Sequence, residues 1–302
     1  MPFYGLNPQE MTLRASFYTT YSNSTNERKS NIKLASKYLN NTFVDIGGEF
    51  SFNKTVGERS QKRGFKVAKI IVNGEFVEGV GGGVCQVSST LYNAVVFADL
   101  EIVYRTNHSM PVSYVPLGRD ATVSYGTIDF KFKNNKESPI KIEAIADGTK
   151  FTINVYGRKK YLKDIKIENA ITGSKPFSVT EVKDDTMYED ERIIEEKGAY
   201  GTNVVTYKVI LENGEIISKT ILAKSSYTPV SQIERVGTKK RETKETTSDD
   251  IQTPSDSANQ DLIDKGNETP TSPLPSDATH ENPDEAQPSE ETKDILIMSS
   301  VQ

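Results

Sequence analysis

A single cysteine follows a run of glycines in this sequence, and it is the residue best placed to act as a nucleophile. Val84 alone separates Cys85 from the run Gly81, Gly82 and Gly83, and Gln86 follows the cysteine. A cysteine attacks as the thiolate, and the N–H groups at a helix N-terminus lower its pKa from about 8.5 toward neutrality. Glycines let the backbone aim N–H groups at a developing oxyanion, as acyl transfer requires. We therefore expect Cys85 to be a nucleophile, with Gly82, Gly83 and Gln86 as oxyanion or substrate contacts.

A nucleophilic cysteine needs a base, and His108 is the only histidine before residue 239. We expect His108 to take the thiol proton and later to act as general acid. A carboxylate or an amide must fix the imidazole tautomer, and Asp120 and Asn107 are the two residues proposed for this role. Arg105 would hold a substrate carboxylate through two parallel hydrogen bonds.

Each of these residues also has a purely structural interpretation. A lone cysteine beside an apolar helix is most often a small buried hydrophobe, and a glycine run is often only a tight connection. A phosphate-binding loop is disfavoured, because residues 79–90 contain no lysine that could reach the phosphates. Ser88, Ser89 or Thr90 would offer a hydroxyl nucleophile, but inside a helix such side chains tend to satisfy the local backbone. The chemistry therefore depends on the combination of cysteine, histidine and carboxylate.

Hydrophobic periodicity predicts the elements that must position these residues. Five apolar residues at helical spacing predict a buried helix over 86–100, which places Cys85 at its N-terminus: Val87, Leu91, Ala94, Val95 and Ala98. A shorter amphipathic helix is predicted over 30–40, behind a Ser or Asn cap. Asn73-Gly74, between two β-rich runs, predicts a hairpin. Further strands are predicted over 45–53, 101–104, 121–125, 128–132, 139–145 and 151–156.

The order of these elements predicts an α+β fold for the first domain. We place this mixed helix and strand domain, which holds the catalytic residues, at 30–160, after an N-terminal extension of 1–29. Residues 161–238 are predicted to form a small all-β domain, because Asn213-Gly214 separates two strand-like runs in a hairpin pattern. This second domain offers no thiol or histidine, so it is interpreted as a spacer or binding unit.

The C-terminal stretch differs in composition from the rest of the chain. Residues 239–302 lack Phe, Tyr and Trp and are rich in Pro, Ser, Thr, Asp and Glu, so we predict a disordered acidic tail. This stretch holds 15 Asp and Glu against 6 Lys and Arg, so within the chain's net charge of −5 the preceding residues carry +4. A mildly basic body without a dense Lys/Arg run argues against nucleic acid and suits anionic partners such as wall polymers.

Residue counts and hydropathy exclude several other classes. One cysteine cannot form an internal disulfide, and one histidine outside the tail cannot build a clustered zinc site, so we predict no metal and no cofactor. No apolar run approaches the roughly 20 residues that cross a bilayer, and the first residues lack the layout of a signal peptide. We therefore expect either a cytosolic protein or a chain that begins after a removed export segment.

Several motifs in the first domain resemble one known family. The stretch GGGVCQVSSTLYNA, from Gly81 to Ala94, resembles the signature of the VanW-like family, and the resemblance continues through RTNHS, GRDATV and DFKFKN. It covers roughly residues 30–157. The second domain resembles the G-five domain, a small extracellular β module, although only four of its glycines fall into that pattern. The residues that carry this second resemblance are Gly198, Gly201, Tyr207, Gly214, Thr220, Pro229, Val236, Gly237 and Thr238.

The resemblance implies a function at the bacterial cell wall. Members of the family have been linked to L,D-transpeptidation, in which a cysteine attacks a stem-peptide carbonyl and an amine of another stem resolves the thioester. It assigns the nucleophile to Cys85 and the histidine of the Arg-x-x-His motif to His108, whereas the roles of Asp120 and Arg105 are inferred from chemistry. It implies an exported, wall-associated protein whose partners are peptidoglycan stem peptides, with wall glycans as partners of the second domain.

Two other interpretations of the same residues stay open at this point. The first is a hydrolase, in which water replaces the acceptor amine. The second is a non-catalytic protein that binds peptidoglycan or glycan, in which Cys85 is structural and the glycine run only shapes a groove.

Overall fold

The structure is a computed structural model that describes residues 11–72, 75–158 and 163–241. Within these ranges the chain is mostly β, with fifteen strands, three α-helices and one short 3-10 turn at Gln61–Arg63. The expected fold is therefore met in part, since strands dominate both units and helices occur only in the first. The predicted turn at Asn73-Gly74 lies outside the described residues, as do residues 242–302 of the tail predicted over 239–302; Lys239, the first residue of that predicted tail, instead ends the last strand.

The first unit contains nine strands in three sheets. They are β1 (Met11–Thr20), β2 (Thr42–Val44), β3 (Glu49–Ser51), β4 (Val67–Val72), β5 (Glu75–Val80), β6 (Glu101–Tyr104), β7 (Lys131–Lys133), β8 (Ile140–Ala146) and β9 (Lys150–Arg158). The main sheet is antiparallel in the order β1-β9-β8-β2, beside a three-stranded sheet β3-β7-β6 and the hairpin β4-β5. Residues 11–20, which the sequence analysis assigned to an N-terminal extension, thus form an edge strand of the main sheet.

Three helices pack on these sheets. They are α1 (Asn26–Leu39), α2 (Phe52–Val56) and α3 (Val84–Phe97). The helix predicted over 86–100 is confirmed as α3, which packs against β1, β9 and α1. The helix predicted over 30–40 is confirmed as α1, but it begins four residues earlier because Thr25 caps it by accepting a hydrogen bond from the Arg28 amide. Fully buried apolar side chains from both helices and the main sheet form one core.

The predicted strand over 121–125 is absent, and its backbone has other partners. Ala121 donates its amide to the Ser89 hydroxyl at 2.9 Å, and Thr122 donates its amide to the Thr106 carbonyl at 2.8 Å. Only an isolated bridge joins Ser124 to Ile128. The segment is therefore held against α3 rather than paired in a sheet, which matters for the site described below.

The second unit consists of two three-stranded sheets. Its strands are β10 (Asp164–Lys175), β11 (Val179–Tyr188), β12 (Arg192–Glu196), β13 (Gly201–Glu212), β14 (Glu215–Tyr227) and β15 (Gln232–Lys239). The sheets have the orders β10-β13-β14 and β11-β15-β12. The predicted hairpin is confirmed as β13-β14, whose turn has positive φ at Asn213 (52°) and Gly214 (85°), as a two-residue hairpin turn requires. In the described part of the chain, no helix is long and apolar enough to cross a membrane.

Candidate active site

The glycine run turns the chain from β5 into α3 and sets the position of Cys85. Gly83 caps the helix with a φ of 100°, a left-handed conformation that favours glycine. A Cβ on Gly82 would lie 2.6 Å from the Lys69 carbonyl oxygen, and one on Gly83 would lie 2.9 Å from Arg28 Cγ. Close packing at both positions, together with the left-handed φ of Gly83, therefore accounts for the two glycines without a bound ligand. Cys85 becomes the second residue of α3, where helix N–H groups favour a negative charge.

Cys85 is half-buried as a residue, and its thiol faces His108. Its sulfur lies 3.5 Å from the Val123 carbonyl oxygen. Burial acts to raise the pKa of Cys85, but the hydrogen bond to His108, the charge of that imidazole and the charge of Arg59 outweigh it and lower the pKa. The site therefore favours the thiolate, which is the nucleophilic form.

His108 is buried between the thiol and a carboxylate. Its Nδ1 lies 2.6 Å from Asp120 Oδ2, and its backbone N–H donates to the same oxygen at 2.6 Å. Because Asp120 occupies Nδ1, the Nε2 atom is left for Cys85. Burial acts to lower the pKa of His108, but the hydrogen bonds to Asp120 and Cys85 outweigh it and raise the pKa to about 9. The structure thus brings Cys85, His108 and Asp120 together in a row, and the two pKa shifts favour a thiolate–imidazolium pair beside the carboxylate.

The carboxylate of Asp120 is fully buried and stays ionised. Burial acts to raise its pKa, but the hydrogen bond to His108 and the charges of Arg105 and His108 lower it. Its Oδ1 accepts hydrogen bonds from Arg105 Nη2 at 3.0 Å and from the Tyr227 hydroxyl at 2.5 Å. Both carboxylate oxygens are therefore held, which fixes the orientation of the imidazole.

Arg105 has a different place from the one expected from the sequence. Its Nε donates to the Asp120 carbonyl at 2.5 Å, its Nη1 to the Ser225 hydroxyl at 2.7 Å and its Nη2 to the Gly118 carbonyl at 3.2 Å. Its side chain is 5% exposed. These contacts do not support the expected binding of a substrate carboxylate by Arg105, because the side chain is buried and its donors already have protein partners. Arg105 holds Asp120 instead.

Asn107 and Gln86 also have protein partners rather than an open site. Asn107 Nδ2 donates to the His108 carbonyl at 2.7 Å and to the Ser226 carbonyl at 2.9 Å, so it does not orient the imidazole ring. The buried Gln86 amide donates to the Thr20 carbonyl at 2.8 Å, and its oxygen accepts from Arg28 at 2.7 Å. Gln86 therefore links α3 to β1 and α1 through hydrogen bonds. These contacts do not support the expected oxyanion role of its side chain.

The serines after Cys85 attach the Asp120 segment to α3. Ser88 donates its hydroxyl to the Ala121 carbonyl at 2.6 Å, and Ser89 donates to the Cys85 carbonyl at 2.8 Å while accepting from the Ala121 amide. Thr90 donates to the Gln86 carbonyl at 2.7 Å. These hydroxyls thus serve the backbone, as expected, and they also bring residues 119–123 beside the thiol.

Three residues around the thiol were missed by the sequence analysis. The ring of Tyr114 meets the His108 ring edge-on with centroids 6.5 Å apart, and burial followed by the charges of Cys85 and Asp120 raises its pKa well above the ordinary value. Arg28 and Arg59 both lie near enough for their charges to interact with Cys85. None of the three stands in a periodic pattern or a recognisable motif.

Arg59 keeps one donor group without a partner in the described ranges. Its Nη1 donates to Asn53 Oδ1 at 2.6 Å and to the Gly57 carbonyl at 3.1 Å. Its Nη2 is buried and makes no hydrogen bond to any described residue. A guanidinium with a spare N–H donor beside a thiolate is suited to an anionic group of a bound molecule.

The fold and the site define a two-domain protein, with a cysteine–histidine–aspartate array in the first domain and a small β module as the second. Residues 27–156 match the family model described as VanW like protein, and residues 166–239 match the G5 domain model. The chain therefore carries a VanW-like domain followed by a G5 domain, as the sequence motifs indicated.

Two curated relatives share about half of this chain. The uncharacterized protein YoaR of Bacillus subtilis (strain 168) is 52% identical over 140 residues, which are 46% of this chain and 46% of YoaR. The vancomycin B-type resistance protein VanW of Enterococcus faecalis (strain ATCC 700802 / V583) is 32% identical over 144 residues, which are 46% of this chain and 52% of that protein. The chain thus spans about half the length of the curated relatives it matches.

Two solved G5 domains resemble parts of this chain. The crystal structure of HP0197-G5 covers 25% of this chain and 97% of its own, with 15% identity and a TM-score of 0.17. The IgA1 protease G5 domain covers 26% of this chain and 93% of its own, with 19% identity and a TM-score of 0.18.

Proposed function

We propose that the VanW-like domain is a cysteine-dependent acyltransferase that cross-links peptidoglycan stem peptides, an L,D-transpeptidase at the cell wall. The observation that carries the proposal is the array of Cys85, His108 and Asp120, with Nδ1 of the imidazole 2.6 Å from the carboxylate. A VanW-like domain joined to a G5 domain supports a cell-wall-associated protein, and one relative is named as a vancomycin resistance protein.

In the first half-reaction the thiolate of Cys85 attacks the donor stem carbonyl and forms the S–C bond. The positive end of α3 stabilises the oxyanion that develops beside it. As the C–N bond breaks, the His108 imidazolium gives its Nε2 proton to the leaving amine. The products are a thioester on Cys85, a free amine and a neutral imidazole.

In the second half-reaction an amine of another stem attacks the thioester carbonyl. His108, now neutral, takes a proton from this amine while the new C–N bond forms and the C–S bond breaks. The thiolate and the imidazolium are restored. Asp120 holds the Nδ1–H in both halves and stabilises the charged imidazolium.

Stem peptides carry carboxylates, and the arginines near the thiol suit them. Arg59 offers the Nη2 group that lacks a partner in the described part of the chain, and Arg28 adds a second positive charge near Cys85. In this role Arg59 replaces Arg105 as the substrate-binding arginine. Tyr114, kept protonated by its raised pKa, is a neutral donor beside the thiolate.

The test uses the purified chain, isolated muropeptides and mass spectrometry of the products. Wild type should form cross-links between stems, and Cys85→Ala and Cys85→Ser should form none, because the S–C bond cannot form. Binding of all three proteins to wall polymer is measured in parallel as the control. Cross-links made by Cys85→Ala would disprove the nucleophile role. Equal binding without product from any of the three would instead support the non-catalytic interpretation, and shortened stems without cross-links would support a hydrolase.

A further inference from the structure

The last residues of strand β14 in the G5 domain reach the carboxylate of the candidate active site. Tyr227 is 1% exposed, and its hydroxyl donates to Asp120 Oδ1 at 2.5 Å. The same hydroxyl accepts a hydrogen bond from the Gly118 amide at 2.7 Å. One phenol from the second domain therefore holds both the carboxylate and the turn that carries it.

Neighbours of Tyr227 hold the other loop of the site. Ser225 accepts a hydrogen bond from Arg105, the Ser226 carbonyl accepts one from Asn107, and Thr228 donates to the Ser109 carbonyl from both its amide and its hydroxyl, each at 2.7 Å. The segment 225–228 thus contacts the chain on both sides of His108.

Close packing on strand β13 supports the same junction. Thr206 donates its hydroxyl to the Gly118 carbonyl at 3.3 Å, and a Cβ on Gly118 would lie 2.3 Å from that hydroxyl oxygen. Gly118 also has a φ of 79°, which favours glycine. The turn before Asp120 is therefore shaped to fit the G5 domain.

We propose that the G5 domain completes the active site of the VanW-like domain, with Tyr227 as a positioning residue that fixes Asp120 and, through it, the imidazole of His108. This rests on the proposed roles of Cys85, His108 and Asp120. The second domain is then more than a spacer or a binding module, because it supplies one of the two side chains that hold Asp120 Oδ1 among the described residues.

Loss of the Tyr227 hydroxyl should weaken the ion pair at the thiol. Without this donor, Arg105 is the one described side chain left on Oδ1, and the carboxylate can rotate away from Nδ1 of His108. The imidazolium is then less stabilised, so the pKa of Cys85 rises toward that of an ordinary thiol. A removed hydrogen bond of ordinary strength corresponds to a shift of about half a pH unit or slightly more.

The experiment measures the rate of Cys85 alkylation by iodoacetamide against pH in the full chain. Because Cys85 is the only cysteine, the reagent reports this one site. Tyr227→Phe should raise the midpoint by about half a pH unit and slow alkylation near neutral pH about threefold. Tyr200→Phe is the matched control, since that ring is 60% exposed in the same domain, and it should match wild type.

An unchanged or lowered midpoint in a folded Tyr227→Phe protein would overturn the proposal. If Tyr227→Phe does not fold, Ser225→Ala replaces it, because it removes the hydroxyl that holds Arg105, and the same two outcomes decide. The assay needs no peptidoglycan substrate, so the result is independent of whether the protein catalyses transpeptidation. A positioning role would also lower kcat more than it raises KM in any stem-peptide assay.

Discussion

Two buried carboxylates join the VanW-like domain to the G5 domain, and their partners differ in kind. Asp99 follows α3 and receives three lysines, Lys136 at 2.9 Å, Lys163 at 2.8 Å and Lys208 of β13 at 2.9 Å. Asp120 instead receives an arginine, an imidazole and a phenol. Asp99 is surrounded by flexible positive charges, whereas Asp120 is held by hydrogen-bond donors whose directions are fixed by rigid groups.

This difference indicates what each site does. Lysine is a compact charge on a flexible stem, so three lysines neutralise Asp99 without demanding one orientation. Burial acts to raise the pKa of Asp99, but the hydrogen bonds from Lys163, Lys208 and Lys136 hold it well below its usual range. Guanidinium and imidazole are planar donors, and they hold both oxygens of Asp120 in place. Asp99 therefore stabilises the junction of the two domains, whereas Asp120 fixes the orientation of the His108 imidazole.

The largest effect on activity is expected from Asp120→Asn. The amide would favour the wrong imidazole tautomer and leave the charges of Arg105 and His108 without their counter-ion, so cross-linking should fall by a factor on the order of 10³ to 10⁴. Single-turnover assays of the full chain check this. Asp99→Asn is the matched control, and a comparable loss of activity in that variant would erase the distinction between the two sites.

A smaller effect, on stability alone, is expected from Asp99→Asn. Three lysines would lose their counter-ion, but Lys163 has a side chain 45% exposed and can turn to water. The free energy of unfolding should therefore fall by about 1 to 2 kcal/mol, below the range for a fully buried pair. Urea denaturation measures this change. A stability equal to that of wild type would mean that the lysine cluster contributes nothing.

The smallest expected effect is the pH dependence of the difference in unfolding free energy between wild type and Asp99→Asn. Because the folded pKa of Asp99 lies below its unfolded value of about 4, its contribution is fully present above that value and is lost as pH falls through the folded pKa. The gap in unfolding free energy between wild type and Asp99→Asn should thus be constant from about pH 5 to 7 and shrink below about pH 4. Urea midpoints at pH 7, 5 and 3 test this. A gap that widens on acidification contradicts the sign.

The sequence was enough to predict the helices and turns that depend only on residues close together in the chain. The apolar spacing of α3 and the Asn213-Gly214 turn determine helix and hairpin within a few residues of sequence. Cys85, His108 and Asp120 were singled out because few residues of the right chemistry exist, and the structure brings them together.

The roles of Arg105 and Tyr227 depend on contacts that no local pattern encodes. The Tyr227 hydroxyl meets Asp120 across 107 residues of sequence, and Arg105 Nη1 meets Ser225 across 120. Residues 121–125 have the apolar alternation of a strand, but the Ala121 amide donates a hydrogen bond to the Ser89 hydroxyl instead of pairing in a sheet. Tertiary hydrogen bonds overrode local propensity there.

Capture of the thioester tests the central claim most directly. The full chain is incubated with a donor stem tetrapeptide and no acceptor amine, and its intact mass is measured. We expect wild type to gain the mass of the donor acyl group without its leaving residue, at Cys85, and to lose it on addition of an amine, while Cys85→Ser gains no thioester. Unmodified wild-type protein, at a donor concentration where binding is demonstrated, would contradict acyl transfer by Cys85.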